Sequence, residues 1–288
     1  MNSTRIAHIF MLIALLLAPA MLKAQYIITD SLIPRRIVVK TTTHGATMLN
    51  CLDTYLSGSS FTGAGYKLSH EKFRDARTGN RKWKYQTIFN ATAGATLHST
   101  NLQYAILADY SWGGYHPFII NDRLQILAGG QALLSGGVLY LPGNGNNPAA
   151  AQVRVALAAS GMAIYHIPIK GRDYTLRLQL DIPLAGAMFA PEYGQSYYEI
   201  FGRGDASNII KFAYPGNSPS WRHALSFDIP IGSKYRNNTL RLSYNGDFFQ
   251  SRANGLRTHI YNNSISIGFV RTLYKIKEGD PIKAYSPY

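Results

Sequence analysis

Hydrolysis or acyl transfer needs a nucleophile, a base and an orienting group that meet in space, most often serine, histidine and a carboxylate. The chain carries eight histidines, His8, His44, His70, His98, His116, His166, His223 and His259, scattered along its length. No Gly-x-Ser-x-Gly elbow accompanies them. None stands at a zinc-ligand spacing, and Cys51, the one cysteine, has no partner for a disulfide or a metal clip. "GNGNNP" at 143–148 lacks the Lys-Ser/Thr of a phosphate loop and reads as a turn. These residues assign no catalytic group, no metal and no cofactor. What remains is charge between apolar neighbours: Arg177 and Asp181, Arg222 and Asp228, Arg241 and Asp247.

Two of these sets belong to a repeat. Ile-Pro-Ile stands at 167–169 and again at 229–231; after a short charged turn, Thr-Leu-Arg-Leu follows at 175–178 and 239–242. Around both copies the period is two. Leu176, Leu178, Leu180, Ile182 and Leu184 alternate with Thr175, Arg177, Gln179 and Asp181. Trp221, Leu225, Phe227 and Ile229 alternate with Arg222, Ala224, Ser226 and Asp228, and Leu240, Leu242, Tyr244 and Phe248 with Arg241, Ser243, Asn245 and Asp247. Strict alternation is the mark of a strand with one apolar and one polar face. The same pattern, less clean, runs through 82–98, 101–112 and 262–274, whereas 124–141 and 152–169 are rich in Gly and Ala.

Two folds can hide such faces. A soluble β-sandwich turns the apolar faces inward; a membrane barrel turns them to lipid and the polar faces to a lumen. Many patterned runs reach ten or more residues, nearer the ~9–11 of a membrane-spanning strand than the ~5–6 of a typical strand. Aromatics gather near run ends: Trp83, Tyr85, Trp112, Tyr165, Trp221, Phe248 and Tyr274. The expectation is all-β: one antiparallel transmembrane β-barrel of about ten strands, with eight or twelve as alternatives. The tight turns "KGRD" and "SKYRNN" then face the periplasm, and the long stretch 192–219 lies outside. Tyr193, Tyr197, Tyr198 and Phe201 make that stretch either a contact surface for an extracellular ligand or a lid over the lumen. The six named charges face a crowded interior, where they form internal salt bridges or line a narrow, anion-favouring pore.

The first residues fix the route. "IFMLIALLL" at 9–17 is an apolar run of nine, preceded by one Arg and followed by "APAMLKA". This has the parts of a secretory signal peptide, and it is shorter than the ~20 residues of a spanning helix. The expected organisation is a signal peptide over 1–24, an N-terminal extension over 25–40, the barrel over 41–276 and a periplasmic tail over 277–288. Formal charge is +14, with Arg5 and Lys23 inside the signal. An exported chain with its basic residues spread among strands and turns does not point to nucleic acid; it points to anionic membrane components, outer-membrane lipid and lipopolysaccharide.

Several strings are distinctive: "NCLDTYLSGSSFTGAGYKLSHEKFR", "GNGNNPAAAQVRVALAASGMAIYHI", "FAPEYGQSYYEIF", "PGNSPS" and "HIYNNSISIGFVRTLY". In these the chain resembles a family of uncharacterised outer-membrane barrel proteins of Bacteroides-type bacteria. The resemblance implies export and insertion in a Gram-negative outer membrane, and it implies no reaction, ligand or catalytic residue. One feature departs from common barrels, whose chains end on an aromatic of the last strand: here "KIKEGDPIKAYSPY" follows Tyr274. The expected role is structural, surface-binding or narrow-pore. The alternatives are a lipid- or acyl-modifying enzyme carried on a barrel, and a soluble secreted β-sandwich.

Overall fold

The computed structural model describes residues 34–76, 83–145, 147–231 and 238–276. The expected signal peptide, the tail and nearly all of the turn "SKYRNN" lie outside them. The described residues form eleven strands: β1 (Pro34–Asp53), β2 (Phe61–Asp75), β3 (Lys84–His98), β4 (Asn101–Ile119), β5 (Leu124–Tyr140), β6 (Ala149–Ile169), β7 (Arg172–Phe189), β8 (Ile210–Ala213), β9 (Ser220–Ile231), β10 (Asn238–Ala253) and β11 (Leu256–Ile276). Neighbours pair antiparallel in sequence order, β6 also pairs with β7, and β1 pairs with β11. The ring is therefore closed by ten long strands, and β8 is a short segment on the upper part of β7. A soluble sandwich is excluded: there are not two sheets but one sheet returning on itself.

The orientation of side chains says which solvent this wall was built for. On β7 Leu176, Leu178, Leu180, Ile182 and Leu184 are 37–52% exposed, while Thr175, Arg177, Gln179 and Asp181 are 2–7% exposed. Leucine out and arginine in is the reverse of a water-soluble domain, and it is the pattern of a barrel whose outside meets hydrocarbon. Two aromatic bands ring the outside. Trp83, Trp112, Phe118 and Tyr165 lie toward the end where β1 begins and β11 ends, and Tyr66, Tyr104, Tyr140 and Trp221 toward the other. We call these the terminal end and the loop end.

β1 starts at Pro34, so residues 34–40, expected as an extension, already belong to the wall. Ile37 and Val39 point into the lumen there, and apolar residues on the inner face conceal the alternation that marks the other strands. Pro168 and Pro230 sit near the terminal ends of β6 and β9, where a missing ladder donor costs little. Pro183 stands at a bulge: Leu157 faces Ala185 and Ala158 faces Pro183, leaving Leu184 as the extra residue. The longest connection, 190–209, lies at the loop end with 54–60 and 141–148, but 76–83 at the terminal end is as long as 141–148, and two tight turns, 99–100 and 254–255, share the loop end. Asn254 and Gly255 take φ +51° and +74°, the double left-handed turn that matches strand twist.

Two apolar clusters lie in the interior, one toward each end. Toward the terminal end Ile37, Val39, Phe73, Tyr115, Leu127, Met162, Ile164 and Val270 pack together. Toward the loop end Leu49, Cys51, Leu56, Phe61, Leu139, Leu141, Phe249 and Ile260 do the same. The charges lie between them.

Candidate functional site in the lumen

All six charges assigned to the lumen do point inward, yet their pairing differs from the sequence grouping. Residues six apart on one strand are separated by ~20 Å, so Arg222 and Asp228, or Arg241 and Asp247, do not meet along their strand. The ladder between β9 and β10 instead sets Arg241 opposite Asp228 and Arg222 opposite Asp247. Arg241 donates from Nε and Nη2 to the two Asp228 oxygens at 2.6 and 2.7 Å. Arg222 places Nε 3.2 Å from Asp247 Oδ2 and Nη1 2.7 Å from Asp109 Oδ1.

The pivot of the lower half is a residue the alternation did not single out, Glu71 on β2. Its carboxylate receives a forked pair from Arg177 at 2.7 and 2.8 Å, Arg241 Nη1 at 2.7 Å and Gln86 Nε2 at 2.6 Å. Arg177 and Arg241 are the equivalent arginines of the two Thr-Leu-Arg-Leu copies, so the repeat delivers two guanidinium groups to one carboxylate. Asp181 is not held by Arg177. It accepts from three neutral donors, the Ser160 hydroxyl, Gln131 Nε2 at 3.1 Å and Gln179 Nε2 at 3.1 Å. Tyr115 ties this set together: its hydroxyl donates to Gln86 Oε1 at 2.9 Å and accepts from Gln131 Nε2 at 2.5 Å. Gly113 makes the room, because a Cβ there would stand 2.8 Å from Gln131 Cγ and 3.0 Å from the Tyr115 hydroxyl.

The upper half is built around Arg222. Besides Asp109 and Asp247 it reaches Ser135 Oγ at 3.3 Å. Arg154 on β6 is 3.6 Å from Asp247 and lies 4.0 Å over the Phe249 ring. Lys67 is buried within the fields of Asp109 and Asp247. A cavity of about 910 Å³, counting its open mouth, lies above this floor on the loop side; Asp53, Tyr55, Phe189 and Tyr197 are among its walls.

The long loop closes part of that mouth. The Ala151 N–H donates to the Tyr197 hydroxyl at 2.6 Å, and the Tyr55 hydroxyl donates to the Gln195 carbonyl at 3.0 Å. The Tyr55 and Tyr197 rings meet edge to face with centroids 5.6 Å apart. Burial pushes the Tyr197 hydroxyl up to about 12. Burial, with the Asp53 and Glu199 charges, also raises Tyr55. Glu199 is held below the usual carboxylate range by hydrogen bonds from the Ser196 N–H and hydroxyl. Tyr197 is thus a latch, not a free contact residue. Tyr193, Tyr198 and Phe201 are 81%, 70% and 72% exposed, so the same loop both covers part of the mouth and presents aromatic side chains outward.

Among the described residues at the loop end, the serine hydroxyl that meets a histidine is Ser60 Oγ, 3.3 Å from His259 Nε2. Asn50 Oδ1 approaches the same ring nitrogen at 2.6 Å. A relay needs the nucleophile and the orienting group on opposite nitrogens, so this trio does not form one. Among the described residues there is no cluster of three or more His, Cys, Asp or Glu able to hold a metal.

Sequence reasoning missed Lys67, Glu71 and Arg154 as interior charges and left Asp109 among ordinary polar-face residues. Glu71 lies on a strand whose inner face also carries Phe61 and Phe73, which blurs the two-phase pattern; Arg154 does stand between the outward Val153 and Val155, but in a strand otherwise rich in Ala and Gly.

Comparison with solved structures returns outer-membrane barrels. The outer-membrane protease OmpT of Escherichia coli aligns with TM-score 0.48 and 9% identity, over 85% of this chain and 99% of its own. The attachment invasion locus protein Ail of Yersinia pestis gives 0.30 and 10%, over 81% and 99%. An outer membrane channel of Pseudomonas putida F1 gives 0.36 and 10%, over 87% and 100%. At such identities no shared activity follows. No curated protein matches the sequence. A family profile matches residues 8–280, and the chain accordingly belongs to the family described as Protein of unknown function (DUF3316).

Proposed function

We propose that the chain is an outer-membrane barrel closed to through-flow, which binds its ligand from outside in the cavity beneath loop 190–209. The observation that carries this reading is the apolar layer at the terminal end: one cavity lies on the loop side of the salt-bridged belt and a second, of about 720 Å³, lies among Glu71, Arg177, Arg241 and Asp247 within it, and neither is lined by that layer. The belt's charges balance. Lys67, Arg154, Arg177, Arg222 and Arg241 face Glu71, Asp109, Asp181, Asp228 and Asp247, an arrangement suited to filling a lumen rather than to attracting ions through it.

Insertion in the outer membrane is supported by the apolar exterior and the two aromatic bands. With the start of β1 and the end of β11 at one end and the long loop at the other, the loop end faces the medium. Tyr193, Tyr198 and Phe201 then form an exposed aromatic rim beside the cavity. Lipid and lipopolysaccharide surround the wall as its ordinary partners.

Cysteine labelling on intact cells tests location and orientation together, since the native Cys51 is fully buried. Tyr198→Cys should react with a membrane-impermeant maleimide, and Lys170→Cys, in the turn at the opposite end, should react only after lysis. Labelling of Lys170→Cys alone would reverse the orientation, and recovery of folded protein without detergent would remove the barrel from the membrane.

A further inference from the structure

The wall is interrupted at one place. β7 pairs with β9 from Thr175 to Asp181 and with β8 from Gly186 to Phe189, so Ile182–Ala185 have no ladder partner on that side. The link between β8 and β9, "YPGNSP", turns away from β7: Pro219 O and Asn217 O accept from Gln250 and Arg252 N–H instead. The bulge at Leu184 widens the same gap. A pocket of about 460 Å³, counting the open space at its mouth, lies at it. On the lipid side it is lined by Val155, Leu184 and Tyr214, which belong to the exposed outer surface; on the lumen side it reaches Arg154, Arg222 and Asp247. Those three residues, with Ser135, also line the large cavity above, so both spaces open onto one floor. Trp221, of the loop-end aromatic band, sits one residue from the gap, which places the opening at the outer-leaflet boundary.

The chemistry at the inner end is incomplete. Arg154 Nη1 is buried and has no hydrogen-bond partner among the described residues. Its one carboxylate contact, Asp247 at 3.6 Å, is long and is shared with Arg222. Lys67, Arg154 and Arg222 share Asp109 and Asp247 at this point, with Asp181 beyond Arg222. A guanidinium with a buried spare donor at the floor of an open cavity is best satisfied by an anionic acceptor.

We propose that the gap between β7 and the β8–β9 link is a lateral opening that admits a single-chain anionic amphiphile from the outer leaflet, its alkyl chain lying along Val155, Leu184 and Tyr214 and its head on Arg154. A carboxylate or a phosphate head satisfies the same site. The proposal rests on the outer-membrane reading and names the ligand class for the cavity.

The test uses the full chain folded in phosphatidylcholine nanodiscs, with folding verified by heat-modifiable migration. The probe is 11-(dansylamino)undecanoic acid. Saturable binding is expected, displaced by lauric acid and by dodecyl phosphate, but not by dodecanol or by inorganic phosphate. Relative displacement by the two anionic amphiphiles tells which head is preferred. Arg154→Gln should weaken binding by about ten- to a hundredfold, the worth of a charge-assisted hydrogen bond. Ala213→Trp, at the lip of the opening and away from the ionic belt, should weaken it by about tenfold through loss of chain contacts. Equal displacement by dodecanol, or unchanged binding in Arg154→Gln, would overturn head recognition. Displacement by inorganic phosphate alone, or unchanged binding in Ala213→Trp, would overturn the lateral route. Absence of probe binding to a folded, non-conducting barrel would sink this proposal and leave the closed-lumen reading standing.

Discussion

Glu71 on β2 and Arg177 on β7 join opposite walls of the barrel. The two strands stand five places apart around a ring of ten, and the side chains meet through two hydrogen bonds of 2.7 and 2.8 Å. Arg241 approaches the same carboxylate from β10 at 2.7 Å. A single acidic side chain therefore spans the lumen and holds three strands at a fixed separation.

Removing that carboxylate leaves two arginines buried side by side. Glu71→Gln should lower stability by about 3–5 kcal/mol, the cost of breaking a buried pair. Urea titration of the heat-modifiable form measures it. Lys40→Ala on the exposed exterior should move the midpoint by no more than ~0.5 kcal/mol. Equal effects of the two changes would mean the bridge carries no weight.

The neutral half of the belt is tested at Gly113. Gly113→Ala pushes a methyl against Gln131 and Tyr115 and should cost about 1–3 kcal/mol by overpacking. On the outer face Gly246 lies under the His223 ring. A wild-type midpoint in Gly113→Ala would show that the Tyr115 cluster has slack.

The latch at the mouth can be opened by one substitution. Tyr197→Ala removes the bond from the Ala151 N–H and the contact with Tyr55, which should speed trypsin cleavage after Arg203 on intact cells by roughly two- to tenfold. The barrel itself should stay folded. A cleavage rate equal to wild type would place the loop's restraint elsewhere.

Alkali should open the same latch. The Tyr197 hydroxyl is raised from 10.0 to about 12 because burial disfavours the phenolate. A raised phenol stabilises the folded loop fully below the unfolded value; that contribution is lost as pH rises through the folded one. Loop release is therefore expected between about pH 10 and 12. Tyrosinate absorbance of wild type minus Tyr197→Phe reads the missing group directly, and a difference centred near pH 10 would show a solvated phenol instead.

The wall was more legible than its contents. Alternation over 175–184 and 221–229 reports which face is apolar, and that alone separates lipid from lumen once strand length is weighed. β1 was harder, because Ile37, Val39, Leu49 and Cys51 point inward and both faces look apolar. Partners across the lumen depend on stagger between strands distant in sequence. Nothing local to Glu71 announces Arg177, 106 residues away. The break between β8 and β9 was likewise hidden inside one long loop-like stretch, since "YPGNSP" carries turn residues whatever it borders.

The closed lumen is the central claim, and single-channel recording in planar bilayers tests it most directly. Wild-type protein and Arg177→Ala should both give no stepwise current, because the apolar layer at the terminal end of the belt remains in place. Reproducible unitary steps from the wild-type barrel would contradict the account.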